Sequence, residues 1–209
     1  DIYAVGVPSI VMMSIGSFMI SGLNAILIGY SAAAVAVLGV YFRVNSFLFM
    51  PVFGLNQGSL PVMGYNYGAG NRKRLMDAYK TAVMIAMCVM AAGTALFWIF
   101  PGQIMRLFSA TPEMMQLGVP ALRIISICFV SAAFSIVTTG MFQALAHGFL
   151  SMLISLLRQL ILTLPLTWLL LRYAGIMFVW ASFPIAEFTS LILTSVFLRY
   201  IYKKEIRNL

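Results

Sequence analysis

Charge is what this sequence has least of: charged residues make up 9% of it, against roughly 25% in a soluble domain. Five acids, one histidine and two cysteines are all the carboxylates, imidazoles and thiols that 209 residues offer. No spacing among them supports a metal site, a phosphate cradle or a catalytic nucleophile. An intramembrane enzyme would need His, Asp, Ser or Cys gathered at one depth, and the pattern offers no such set. Cys88 and Cys128 both fall inside apolar runs, which argues against a disulfide framework and for packing or lipid-facing roles. His147, in the tight turn AHG, reads as a solvated loop residue rather than a metal ligand.

What is present is apolar. Hydrophobic residues make up 62% of the chain and mean hydropathy is +1.00, the composition of an integral membrane protein. The net charge of +8 does not point to nucleic acid, because the cations cluster at the ends of apolar runs instead of forming a basic face. The first apolar run lacks a basic leader and is too long for the core of a signal peptide. Asp1 stands where an initiator Met would be, so a fragment of a longer protein is expected.

Six runs are long enough to cross a hydrocarbon core, at about 3–28, 35–65, 78–100, 119–144, 150–171 and 176–201. Short connections make neighbours antiparallel, so the predicted fold is all-α: one compact six-helix transmembrane bundle over residues 1–209. Arg72, Lys73, Arg74, Lys80, Arg199, Lys203, Lys204 and Arg207 fall at one end, against Arg106 and Arg172 at the other. The positive-inside rule then predicts that both termini are cytoplasmic. Trp98, Trp168 and Trp180 are expected near the opposite, outer interface. The connection at 101–118 is expected to form a short interfacial helix, with Ile104, Met105, Leu107 and Phe108 in the headgroups and Ser109 or Thr111 capping the next turn.

Prolines recur inside the runs, at Pro8, Pro51, Pro61, Pro165 and Pro184, where each frees a carbonyl and permits a kink. Arg43, Arg158 and Glu187 are charges within spans, where an ionised group costs about 2.5–3.5 kcal/mol unless it faces a cavity or a partner. Arg158 lies some 8 residues from the inner end of the fifth run and Glu187 some 11 from the outer end of the sixth. At about 1.5 Å per residue both sit near mid-bilayer, so they are predicted to pair or to share a polar cavity. The pair reads equally as a register-fixing salt bridge or as part of a binding or coupling site. Arg43 is expected at the depth of Asn24, close enough for a polar contact. Asn45, Asn56, Gln57 and Gln159 complete the candidates for a cavity lining, and Arg123 reads as a headgroup-level cation. Fifteen methionines suit a site that accepts varied apolar ligands.

Four stretches carry a family resemblance: GVPS at 6–9, FRVNSFLFMPVFGLNQGSLPVMGYNYGAGN at 42–71, LFSATPEMMQLGVPALRI at 107–124 and SLLRQLILTLPL at 155–166. Through them the chain resembles the multidrug and toxic compound extrusion family, specifically the second six-helix lobe of a bacterial transporter. The most specific element is the turn GYNYGAGN, whose Gly64, Asn66, Gly68, Gly70 and Asn71 look like the family signature between a lobe's second and third helices.

The resemblance implies half of a twelve-helix secondary transporter in the bacterial plasma membrane. Such a protein is a cation-coupled antiporter that exports amphipathic, often cationic drugs by alternating access. Its implied partners are those small molecules, the N-terminal lobe and the bilayer; no nucleic acid and no cofactor is implied. Some members hold the coupling cation between acids on the first and fourth helices of this lobe. The corresponding stretches here, MMSIGSFM and SAAFSIVTTG, contain no acid. Coupling by Na⁺ or H⁺ is therefore expected in the other lobe, with Glu187, the only acid within a span, as the second option. The alternatives in other classes are a lipid-linked sugar flippase of the same superfamily and a noncatalytic membrane scaffold subunit.

Overall fold

The computed structural model describes residues 2–208, with side chains from position 10 onward except 12, 13 and 208. Pro8 falls among the side chains outside that description. The first two helices, α1 (Ile2–Ile28) and α2 (Ala32–Gly68), turn at a three-residue break where Ser31 Oγ accepts from the Ala34 N–H at 3.3 Å. α2 has 37 residues and runs through Pro51 and Pro61 without stopping. It extends three residues beyond the predicted 35–65 at each end, from the Ser31 cap to the glycine turn after Gly68.

α3 (Arg72–Ile99) starts six residues before the expected 78, so its basic cluster is the first turn of the helix and not a loop. α4 (Pro101–Leu107) is the short helix expected in the connection, and Thr111 caps the next helix by accepting from the Met114 N–H at 3.3 Å. Met105 corrects the interfacial reading, since it is fully buried in the core while Leu107 is exposed.

The fourth predicted span is two helices, α5 (Pro112–Ser126) and α6 (Phe129–Ala144), bent by 49°. No proline or glycine marks the break. Side chains line it instead: Thr94 Oγ1 of α3 shares its proton between the Met90 carbonyl at 2.9 Å and the Ser126 carbonyl at 3.1 Å, and Ser126, Cys128 and Ser131 donate to the carbonyls of Arg123, Ile125 and Cys128. α5 begins at Pro112, seven residues before the predicted 119, so Arg123 stands eleven residues along it, about 16 Å, and not in its first turn. Its side chain is exposed.

The fifth span passes from α7 (Gly148–Leu156) through a π-helical segment, Leu157–Thr163, into α8 (Leu164–Tyr173). Pro165 explains the widening, as it lacks an N–H and its ring excludes the carbonyl one turn back. Thr163 Oγ1 donates to the Arg158 carbonyl at 2.8 Å within the same segment. The last span opens as a 3₁₀ turn, Ile176–Ala181, and continues as α9 (Ser182–Lys204), with Pro184 in its first turn.

α6 is the central helix, packed by α2, α3, α7 and α9. Around it Phe97, Phe129 and Phe49 stack edge to face, with centroids 5.2 and 5.5 Å apart. Trp180 is fully buried, so it is a core residue and not an interface anchor. Trp98 and Trp168 are half exposed, and the Arg172 guanidinium lies 5.3 Å from the Trp168 ring.

Candidate functional site

A cavity of about 610 Å³ opens between α1, α2, α6 and the fifth span. α2 contributes Phe53, Asn56 and Gln57, and α6 contributes Ile136, Thr139 and Gln143 at i, i+3 and i+7, one helical stripe. Ser155, Arg158 and Gln159 enter from α7 and the π segment, and Gly16 from α1. The π segment matters here because widening a helix re-aims the residues it carries, and both Arg158 and Gln159 lie within it.

Arg158 Nη1 donates to both carboxylate oxygens of Glu187, at 3.2 and 3.1 Å. Glu187 is 8% exposed and stands behind Arg158, out of the cavity wall. One guanidinium nitrogen makes both contacts, so the remaining donors of Arg158 are left at the cavity surface, where water or a ligand can accept from them. Tyr41 and Cys128 lie within electrostatic range of the pair.

Asn56 occupies the tightest point. Its side chain lies against Gly140 of α6, where a Cβ would come within 2.8 Å of Asn56 Cγ and 2.9 Å of Nδ2. Only glycine permits this approach. Asn56 Oδ1 is buried with no hydrogen-bond partner among the described residues, an arrangement that costs about 1–3 kcal/mol unless a donor arrives.

Of the residues proposed from sequence, Asn56, Gln57, Arg158 and Gln159 meet at this cavity, with Glu187 behind them. Asn24, Arg43 and Asn45 do not line it. Asn24 is eight residues from Gly16 along α1, and Arg43 ten from Phe53 along α2, about 12 and 15 Å in helical rise. No hydrogen bond joins Arg43 to Asn24 among the described residues; Arg43 is exposed and Asn45 Oδ1 is buried without a partner. No methionine is among the lining residues; Met63, Met90, Met105 and Met141 belong to the core instead. Thr139, Gln143 and Ser155 escaped the sequence reading, although their spacing with Arg158 and Gln159 on two apolar helices was the available signal.

The signature residues lie at the basic end, away from the cavity. α2 ends there in a Schellman turn: the Gly70 N–H donates to Tyr67 O at 3.0 Å and the Asn71 N–H to Asn66 O at 2.9 Å, with Gly70 at φ +67°. Asn71 Oδ1 caps α3 by accepting from the Arg74 N–H at 3.1 Å, and Asn66 Nδ2 donates to Val62 O at 2.8 Å. Gly68 is the last residue of α2, and Gly64 faces the Ala144 carbonyl.

At the same end His147 is not a free loop residue. Its Nε2 lies 3.0 Å from Glu205 Oε2, the oxygen that also accepts from the Tyr67 hydroxyl at 3.1 Å. Glu205 thus ties the end of α2 and the α6–α7 turn to the C-terminal segment. Burial acts to raise the Glu205 carboxyl, but the hydrogen bonds from His147 and Tyr67 and the charges of His147 and Lys204 outweigh it and hold its pKa below the ordinary 4.5.

The family model for MatE matches residues 8–169. The chain belongs to the MatE family. It is 26% identical over 188 residues to the multidrug export protein MepA of Staphylococcus aureus strain MSSA476, which covers 90% of this chain and 41% of that protein. The S. haemolyticus MepA is 25% identical over 148 residues, 71% of this chain and 32% of its own length. A multidrug resistance MATE family transporter of the MOP superfamily, solved outward-facing, aligns with all of this chain and 47% of its own at TM-score 0.91 and 25% identity. A MOP superfamily transporter from Pyrococcus furiosus aligns with 98% of it at TM-score 0.89 and 25% identity. This MatE chain therefore spans about half the length of the relatives it matches, and its fold is that of one transporter lobe embedded in a membrane. The family is one of transporters, not of enzymes.

Proposed function

We propose that this lobe is half of a multidrug efflux antiporter that exports amphipathic, often cationic compounds by alternating access. The observation that carries this reading is the chemistry of the cavity: amide and hydroxyl groups on an apolar wall, with a single charge already compensated by its partner. Such a lining gives adaptable hydrogen bonding without demanding one ligand shape or charge. The MepA relatives are named as multidrug export proteins, which supports the substrate class.

The companion is an N-terminal lobe. One face of α2 is exposed along its length, carrying Arg43, Phe47, Met50, Gln57, Pro61 and Tyr65. A guanidinium in a span is costly against lipid, so this face, which reaches the cavity through Gln57, is the side that meets the other lobe or the aqueous space between lobes. Both termini are cytoplasmic in the proposed orientation, because the basic end then faces the cytoplasm of the bacterial plasma membrane. Coupling to Na⁺ or H⁺ resides in the other lobe, since Glu187 is already engaged by Arg158.

A lipid-linked sugar flippase would need several cations facing a pyrophosphate. Arg43 lies outside the cavity and Arg158 is neutralised, so this reading is disfavoured. The test is accumulation of ethidium in pump-deficient cells expressing the full-length protein, with Na⁺ replaced or the proton gradient collapsed in turn. Lower accumulation that returns to the control level when one gradient is removed supports the proposal. Accumulation equal to that of cells without the protein would refute it.

A further inference from the structure

α3 and α9 both pack on α6 but hardly touch each other. The gap between them is a groove of about 230 Å³ at the basic end, lined by Met76 and Tyr79 from α3 and by Leu198, Arg199, Tyr202 and Lys203 from α9. Tyr79 forms the floor: its ring is buried and its hydroxyl is fixed 2.8 Å from Thr138 Oγ1 of α6. At the mouth Arg72 Nη2 donates to the Tyr202 hydroxyl and its guanidinium lies 5.4 Å from that ring, which places a third cation there.

The groove has two chemical halves. Its depth is apolar and aromatic, while its rim carries Arg199 and Lys203, one helical turn apart on one face of α9. Both are exposed, no acidic side chain lines the groove, and neither cation makes an ion pair among the described residues. Away from the rim, α9 continues as an exposed apolar stripe of Val196, Ile192, Phe188 and Ile185. Thr138, which holds the floor, projects from a different face of α6 than the cavity stripe, so the groove is separate from the drug cavity.

We propose that this groove binds an anionic phospholipid from the leaflet at the basic end. Its phosphate sits between Arg199 and Lys203, with Arg72 at the mouth, and an acyl chain lies on Met76, Tyr79 and Leu198. Charge complementarity selects the headgroup, since cations at this depth favour acidic lipids, and an apolar slot that opens toward the hydrocarbon layer accommodates a chain rather than a soluble anion.

The test uses the full-length transporter, purified in a zwitterionic detergent and titrated with phosphatidylglycerol or with phosphatidylcholine of the same chains, with bound lipid counted by native mass spectrometry. Phosphatidylglycerol is expected to bind at one saturable site, at least about tenfold tighter than phosphatidylcholine. R199Q/K203Q is expected to weaken it by about the same factor. M76W, which fills the slot and leaves every cation in place, is expected to weaken it too, whereas K73Q/R74Q, which removes two cations elsewhere at this end, is expected to leave it unchanged. Equal weakening by K73Q/R74Q would reduce the effect to general charge attraction, and undiminished binding to M76W together with displacement by inorganic phosphate would show an anion site without a lipid; either result overturns the proposal.

Discussion

The Arg158–Glu187 pair divides its burial unequally, and that asymmetry makes a prediction. Glu187 is enclosed, while the spare donors of Arg158 reach the cavity. R158Q therefore strands a buried carboxylate and is expected to destabilise the full-length protein by about 3 kcal/mol. E187Q leaves a cation that cavity water can solvate and is expected to cost about half as much, with R158Q/E187Q less harmful than R158Q alone. Thermal denaturation of the three variants in detergent checks the order. At Gly140 a methyl group would meet Asn56, so G140A is expected to cost about 1–3 kcal/mol and to slow ethidium efflux more than it lowers expression. The charge pair was legible in the sequence because depth along a helix follows from counting residues. The Gly140–Asn56 contact was not, because it depends on how α2 and α6 rotate against each other. Counting failed for Arg43 and Asn24 for the same reason: equal depth does not fix the direction in which a side chain points.

At the scale of elements, turn chemistry explains which helix ends are easy to alter. Two Schellman turns close the basic end, one with Gly70 at φ +67° and one with Ala146 at φ +65°. An L side chain in this region costs about 1–2 kcal/mol. G70A is therefore expected to lower stability and A146G to raise it, each by about 1 kcal/mol, measured as opposite shifts of the melting temperature. Long apolar runs and glycine turns were readable without a structure. The bend between α5 and α6 was not, because Thr94, which lines it, is on another helix, and the π segment before Pro165 showed only as an intramembrane proline.

For the whole molecule, Glu205 links three parts of the basic end, and its lowered pKa fixes the sign of a pH effect. The folded state favours the carboxylate, so its contribution is present above the ordinary value of 4.5 and is lost as pH falls through the lower folded value. Wild type is expected to be more stable than E205Q at neutral pH, with the difference narrowing below pH 4.5 and closed once pH is under the lower folded value; a gap that persists under both values would remove Glu205 ionisation as its cause. The proposed function requires the cavity around Asn56 and Arg158 to carry drug through this lobe. The most direct measurement is ethidium efflux by the full-length protein, wild type against Q57W, which fills the cavity, and I192W, which places the same bulk on the exposed face of α9. At equal expression Q57W is expected to slow efflux by about tenfold, the effect of roughly 1.4 kcal/mol on the transport barrier, while I192W stays near wild type. Efflux by Q57W at the wild-type rate would contradict that requirement.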